Sequence, residues 1–114
     1  MSSQFRVAAV QAAQTADPAA NLDRARAYIR RAAEEGADLV LFPECWIQGY
    51  RMPLLVPGKT MEEQYAMPSS GLCWEQVRQS PAYREWANAA LTPDGPALRA
   101  VREEAAERQI GVVM

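Results

Sequence analysis

Asp38-Leu-Val-Leu-Phe-Pro-Glu44-Cys-Trp-Ile-Gln-Gly-Tyr50 is the stretch whose reading decides the fold. Its apolar run, Leu39 to Phe42, is short, β-branched and aromatic, and lies between Gly36 and Pro43. That pattern predicts a buried strand covered on both faces rather than a helix. Pro43 withdraws a ladder donor and ends the pairing. Glu44 is thereby delivered to the rim of a sheet at the C-terminal end of a strand, where α/β folds concentrate their chemistry. Phe42, Trp46 and Ile47 beside it would partly desolvate the carboxylate, disfavour its charged form and ready it as a base. The same local pattern also suits an ordinary surface glutamate in a strand-to-loop turn.

Upstream, Phe5 to Val10 is an apolar segment holding one arginine and predicts a first strand, central in its sheet, followed by a small polar linker from Gln11 to Ala16. Asp17-Pro18 is a helix start, with the aspartate as N-cap and proline at the first helical position. Leu22, Ala25, Ile29, Ala32 and Ala33 recur at helical spacing, with Asp23, Arg24, Arg26, Arg30, Arg31, Glu34 and Glu35 on the outer face. Gly36 supplies the stop. Strand, helix and strand in that order predict a right-handed crossover and parallel pairing.

Downstream, Pro53, Pro57, Gly58, Pro68, Gly71, Pro81, Pro93 and Gly95 punctuate a long excursion. Thr60 with Glu63 makes a capping box for a brief helix over Met61 to Ala66, and Ser80-Pro81 opens another that carries Tyr83, Trp86, Ala87, Ala90 and Leu91. Met52, Tyr65, Met67, Trp74 and Trp86 suit a pocket wall, and suit simple packing equally. Pro96 begins an amphipathic helix with Leu98, Val101 and Ala105 inward and Arg99, Arg102, Glu103, Glu104, Glu107 and Arg108 outward. Ile110 to Met114 reads as a third apolar strand. A chain stopping inside such a strand, with a thin core, points to a truncated reading frame.

Composition narrows the function. The chain has 114 residues, 49% hydrophobic and 23% charged, with a net charge of −2, as expected of a soluble globular protein with no affinity for nucleic acid or membrane surface. It shows no export signal and no apolar run near the roughly 20 residues of a membrane span, so a cytoplasmic location is the default. Cys45 and Cys73 are expected as free thiols. With no histidine, the chain holds no serine-histidine or cysteine-histidine couple, and a zinc site is not expected. The Gln11 to Ala16 turn lacks glycine, which argues against a dinucleotide or phosphate loop.

Taken together, Phe5-Arg-Val-Ala-Ala-Val-Gln11, the helix with Asn21-Leu22, Gly36-Ala-Asp-Leu-Val-Leu-Phe-Pro-Glu44 and Gly49-Tyr50 resemble the N-terminal part of the nitrilase superfamily of carbon-nitrogen hydrolases. Gly95-Pro96 through Ile110-Gly-Val-Val113 fits that family's next helix and strand. The resemblance covers residues 5–50 and about 94–114. It implies an α/β fold, a partial α-β-β-α sandwich, with residues 1–114 forming an incomplete domain interrupted by a loop-rich excursion at about 51–95. It also implies hydrolysis of a small-molecule nitrile or amide by a glutamate, a lysine and a cysteine, with Glu44 as the general base and no metal or organic cofactor. A homo-oligomer, with helices of one face packed between subunits, fits the same resemblance.

The family's lysine and cysteine segments lie further along than this chain runs. Lys59 and Cys73 follow Glu44 in the family's order, and Cys73-Trp74-Glu75 echoes residues around some nitrilase nucleophiles. However, Lys59 sits in a Pro-Gly turn, and no apolar strand precedes Cys73 to hold it at an elbow. Both also come before the helix and strand at 96–114, so a loop lysine and a packed thiol are the preferred reading. Cys45 adjoins Glu44, and neighbouring side chains of an extended chain point to opposite faces, so it is expected to pack rather than attack. The competing reading is a non-enzymatic small α/β binding module that pairs with a partner chain.

Overall fold

The structure, a computed structural model, describes residues 4–50, 56, 58–68 and 72–114. In chain order the elements are β1 (Val7–Ala9), α1 (Pro18–Glu34), β2 (Leu39–Leu41), α2 (Met61–Ala66), α3 (Trp74–Gln79), α4 (Pro81–Asn88), α5 (Pro96–Arg108) and β3 (Gly111–Val113). They fall into two compact units, one of Met1–Tyr50 with Leu91–Met114 and one of Arg51–Ala90.

The first unit is built on a three-stranded parallel sheet in the order β1-β2-β3. Ala8 pairs with Val40 and Val40 with Val112, so β2 is the central strand. The first strand, expected at the centre, lies at the edge, because within this sheet it pairs with β2 alone. The ladder extends past the strand ends through Val10 N–H to the Leu41 carbonyl and Phe42 N–H to the Val113 carbonyl, at 2.9 and 2.8 Å.

Helix α1 begins as its sequence dictates. The Asp17 carboxylate accepts from the Ala19 amide, and Pro18 occupies the first turn, where its missing N–H costs nothing. It ends at Gly36, whose φ of +80° closes the last turn with little of the strain a Cβ would bring. Asn21, Ala25, Ile29 and Ala32 form its buried stripe. With Val40, Phe42, Trp46, Ile47, Val101 and Ile110, the apolar members of that stripe make the core.

Helices α1 and α5 pack against each other, and both supply residues to the core on the sheet face that carries Ala8, Val40 and Val112. The opposite face carries Val7, Leu41 and Val113, which remain 54%, 42% and 48% exposed. The strand Leu39–Leu41 is therefore covered on one face only, not on both as its unbroken apolar run predicted. Both crossover helices lie on the same side. Gly111 on β3 lies close under the Leu39 side chain, and an added Cβ would come within 2.7 Å of Leu39 Cδ1, a contact that a turn of that side chain relieves.

Helix α5 starts at Pro96 and ends at Gln109, a left-handed residue with φ of +53°. Glu104, placed outward by its charge, is buried instead, its side chain only 3% exposed. It lies one turn after Val101 on the inward face and meets Arg26, Arg30 and Arg108 at 3.2, 3.6 and 3.3 Å. A carboxylate withdrawn from water costs several kcal/mol unless paired. Three guanidinium groups around one carboxylate offset that cost and tie α1 to α5.

In the second unit the Thr60–Glu63 capping box forms as predicted, with Thr60 Oγ1 accepting from the Glu63 amide and Glu63 accepting from the Thr60 amide. Ser80 Oγ accepts from the Tyr83 amide and starts α4. Helix α3 was not predicted. Its N-cap is Cys73, which makes no side-chain cap bond, so the usual start signal is missing. Tyr65, Trp74 and Trp86 are exposed, and Met52 lies outside the described residues. Among the described residues no helix is long and apolar enough to cross a membrane.

Candidate active site

The chain leaves β2 at Leu41 and turns at once. Cys45 adopts φ of +55°, the left-handed region that a residue with a Cβ occupies at a cost of about 1 kcal/mol or more. The Cys45 carbonyl accepts from the Gly49 amide at 2.9 Å, and Gly49, with φ of +81°, completes the bend. The local chain is thus not extended, and the alternation expected to turn Cys45 away from Glu44 does not apply. Cys45 is a half-buried free thiol.

This reversal separates Glu44 from its apolar neighbours. Phe42, Trp46 and Ile47 are buried in the core, whereas Glu44 is exposed at the C-terminal rim of the central strand. The sequence expectation that these neighbours would desolvate the carboxylate is not met within this chain. They anchor the loop instead. Trp46 packs edge-on against Tyr28 with ring centres 6.0 Å apart, lies 5.5 Å from Phe42, and has the Arg24 guanidinium 5.2 Å over its ring. Its indole Nε1–H donates to the Asn21 carbonyl at 2.9 Å.

Two amide side chains also hold the loop. Gln14 Nε2 donates to the Glu44 carbonyl at 2.8 Å, and Gln14 Oε1 accepts from the Tyr50 amide at 2.8 Å. Asn21, fully buried in α1, donates through Nδ2 to the carbonyls of Ile47 and Thr15, while its Oδ1 accepts from the Thr15 amide and hydroxyl. Arg24 donates to the Ala13 carbonyl at 2.6 Å. Sequence reasoning missed Gln14 and gave Asn21 no role. The available signal for Asn21 was an asparagine standing in the apolar stripe one turn before Ala25, whereas nothing set Gln14 apart from Gln11 in the same linker.

Elsewhere, a cleft of about 280 Å³ beside β1 is lined by Val10, Gln11, Tyr28, Arg31, Glu35 and Val40, and Glu44 is not part of it. The Glu35 carboxylate, bonded to Arg31 at 2.8 Å, holds that guanidinium above its usual pKa. Lys59 and Cys73 both belong to the second unit and are exposed, Lys59 after the left-handed Gly58 and Cys73 at the start of α3. Among the described residues no group of His, Cys, Asp and Glu side chains could hold a metal ion.

The profile of the carbon-nitrogen hydrolase family matches residues 6–114. The chain is 32% identical over 113 residues to a bromoxynil-specific nitrilase of Klebsiella pneumoniae subsp. ozaenae, covering 98% of this chain and 28% of that protein. It is 34% identical over 115 residues to an arylacetonitrilase of Aspergillus kawachii, covering 100% and 29% respectively. Against an aliphatic nitrilase of Rhodococcus rhodochrous the identity is 33% over 111 residues, covering 96% of this chain and 26% of that one. The chain thus spans less than a third of the length of these relatives.

Proposed function

The chain belongs to the carbon-nitrogen hydrolase family, and from that premise we propose that it is the N-terminal portion of a nitrile-cleaving hydrolase in which Glu44 is the general base. The observation that carries the reading is the placement of Glu44. Its carboxylate stands exposed at the C-terminal rim of the central strand, on a loop whose backbone is held at both ends by Gln14.

In the proposed reaction Glu44 takes the proton of a cysteine thiol supplied from beyond residues 1–114. The thiolate attacks the carbon of the C–N bond, and a lysine ammonium, also supplied from beyond, stabilises the negative charge that develops. On a nitrile this attack gives a thioimidate whose nitrogen takes the proton from Glu44. A first water adds to the thioimidate carbon and ammonia leaves, forming the thioester. Glu44 then activates a second water that hydrolyses the thioester to the acid and frees the thiol. One carboxylate serves both half-reactions, which requires an environment that keeps it basic yet able to release its proton. The remaining chain supplies that environment, since within residues 4–50 the carboxylate is open to water.

The exposed apolar sheet face supports the α-β-β-α sandwich as the complete architecture, with a second sheet covering Val7, Leu41 and Val113. Small-molecule nitriles are the proposed substrates, because the relatives just described are nitrilases. The decisive experiment is the intact mass of the native gene product, compared with the 12.6 kDa of this chain and joined to the downstream reading frame. A much heavier product that hydrolyses a nitrile, with turnover lost in Glu44→Gln by about three orders of magnitude or more, is the expected result. A 12.6 kDa native product, or a Glu44→Gln variant that retains turnover, refutes the proposal.

A further inference from the structure

We propose that Gln14 is a positioning residue for this reaction, fixing the direction of Glu44 by gripping both ends of the loop that carries it; the inference rests on the reading of Glu44 as the base. The loop from Glu44 to Tyr50 contains a left-handed residue at Cys45, and such strain persists only where the surroundings over-determine the backbone. Gln14 supplies the constraint at its two ends. Its Nε2 holds the carbonyl of Glu44 itself, and its Oε1 holds the amide of Tyr50, both at 2.8 Å. One planar group must donate and accept at once, which a neutral carboxamide can do and an ionised carboxylate cannot.

A grip is useful only if the hand is fixed, and the backbone on either side of Gln14 is fixed. Arg24 holds the carbonyl of Ala13, and Asn21 holds both the amide and the carbonyl of Thr15. Asn21 reaches on to the Ile47 carbonyl inside the loop, and Trp46 returns a bond to the Asn21 carbonyl. The carbonyl of Glu44 is therefore oriented from the rigid start of α1, and with it the direction in which the Glu44 side chain leaves the chain. Displacing a reacting group by about 1 Å can cost about 100-fold in rate. The Gln14 bridge has the reach to prevent a shift of that size.

Two variants separate its two ends, both made in the full-length gene product. Gln14→Met fills a similar volume without either bond, whereas Gln14→Glu keeps the acceptor for Tyr50 and loses the donor to Glu44. Both are expected to lower kcat for nitrile hydrolysis by about 10- to 100-fold, with KM within about twofold. Hydrogen exchange of the Tyr50 amide should accelerate about 10-fold or more in Gln14→Met and stay near wild type in Gln14→Glu, while the Ile29 amide stays protected in both. A loss of kcat with the Tyr50 amide still protected is a result that general loosening would not produce. An unchanged kcat in Gln14→Met, or a loss of rate that appears only with loss of protection at Ile29, overturns the positioning role. A wild-type enzyme that hydrolyses no nitrile or amide overturns the reading of Glu44, and the role of Gln14 falls with it.

Discussion

Replacing Asn21 by alanine should destabilise the protein by about 3 kcal/mol, although the change favours the helix that contains it. Asn21 is fully buried, 0% exposed, and its side chain makes hydrogen bonds to Ile47 and Thr15. The Ile47 carbonyl is the buried partner, and leaving it without a donor costs about 1–3 kcal/mol. The three groups of Thr15 are reached more easily by water, so each lost bond there costs about 0.5 kcal/mol. Alanine returns roughly 0.5 kcal/mol through its higher helix propensity. Urea unfolding of the purified gene product, followed by tryptophan emission, measures the difference. A loss below about 1 kcal/mol, or any gain, would show that the polar network inside the α1 stripe is ornamental and that local helix propensity governs the site.

Two further outcomes test other parts of the reasoning. Ile29→Ala opens a cavity at a fully buried position between α1 and the sheet, and should cost about 2–5 kcal/mol in the same unfolding measurement. Lys59→Ala and Cys73→Ser, singly or together, should leave kcat for nitrile hydrolysis within about twofold of wild type. A drop of 100-fold in either would return these second-unit residues to the catalytic set.

What the sequence revealed follows from how local each signal is. The cap at Asp17, the stop at Gly36, the Thr60–Glu63 box and the Ser80 start depend on residues within one turn of one another, and each stands where the pattern placed it. The rim position of Glu44 follows from a strand and the proline that ends it. Glu104 was misplaced because its burial depends on Arg26 and Arg30, more than 70 positions away along the chain and brought near by the packing of two helices. The linker amide Gln14 was invisible for the same reason, since its partners lie 30 and 36 residues ahead. The uncovered sheet face could not be read from Leu39 to Leu41, because an apolar run looks the same whether both of its faces are shielded or one awaits a cover.

That single-sided sheet gives adjacent residues different obligations. Val40 and Leu41 are neighbours of nearly the same chemistry, yet the first points into the helix-covered core and the second into solvent. A polar replacement at Val40 is judged at once, by whether this part of the chain can fold. Under the sandwich proposed above, the same replacement at Leu41 is judged only later, by the second sheet that would lie against it. On that proposal, odd and even positions along each strand answer to two separate events, folding and the packing of a second sheet, and tolerance measured on residues 1–114 alone would record only the first.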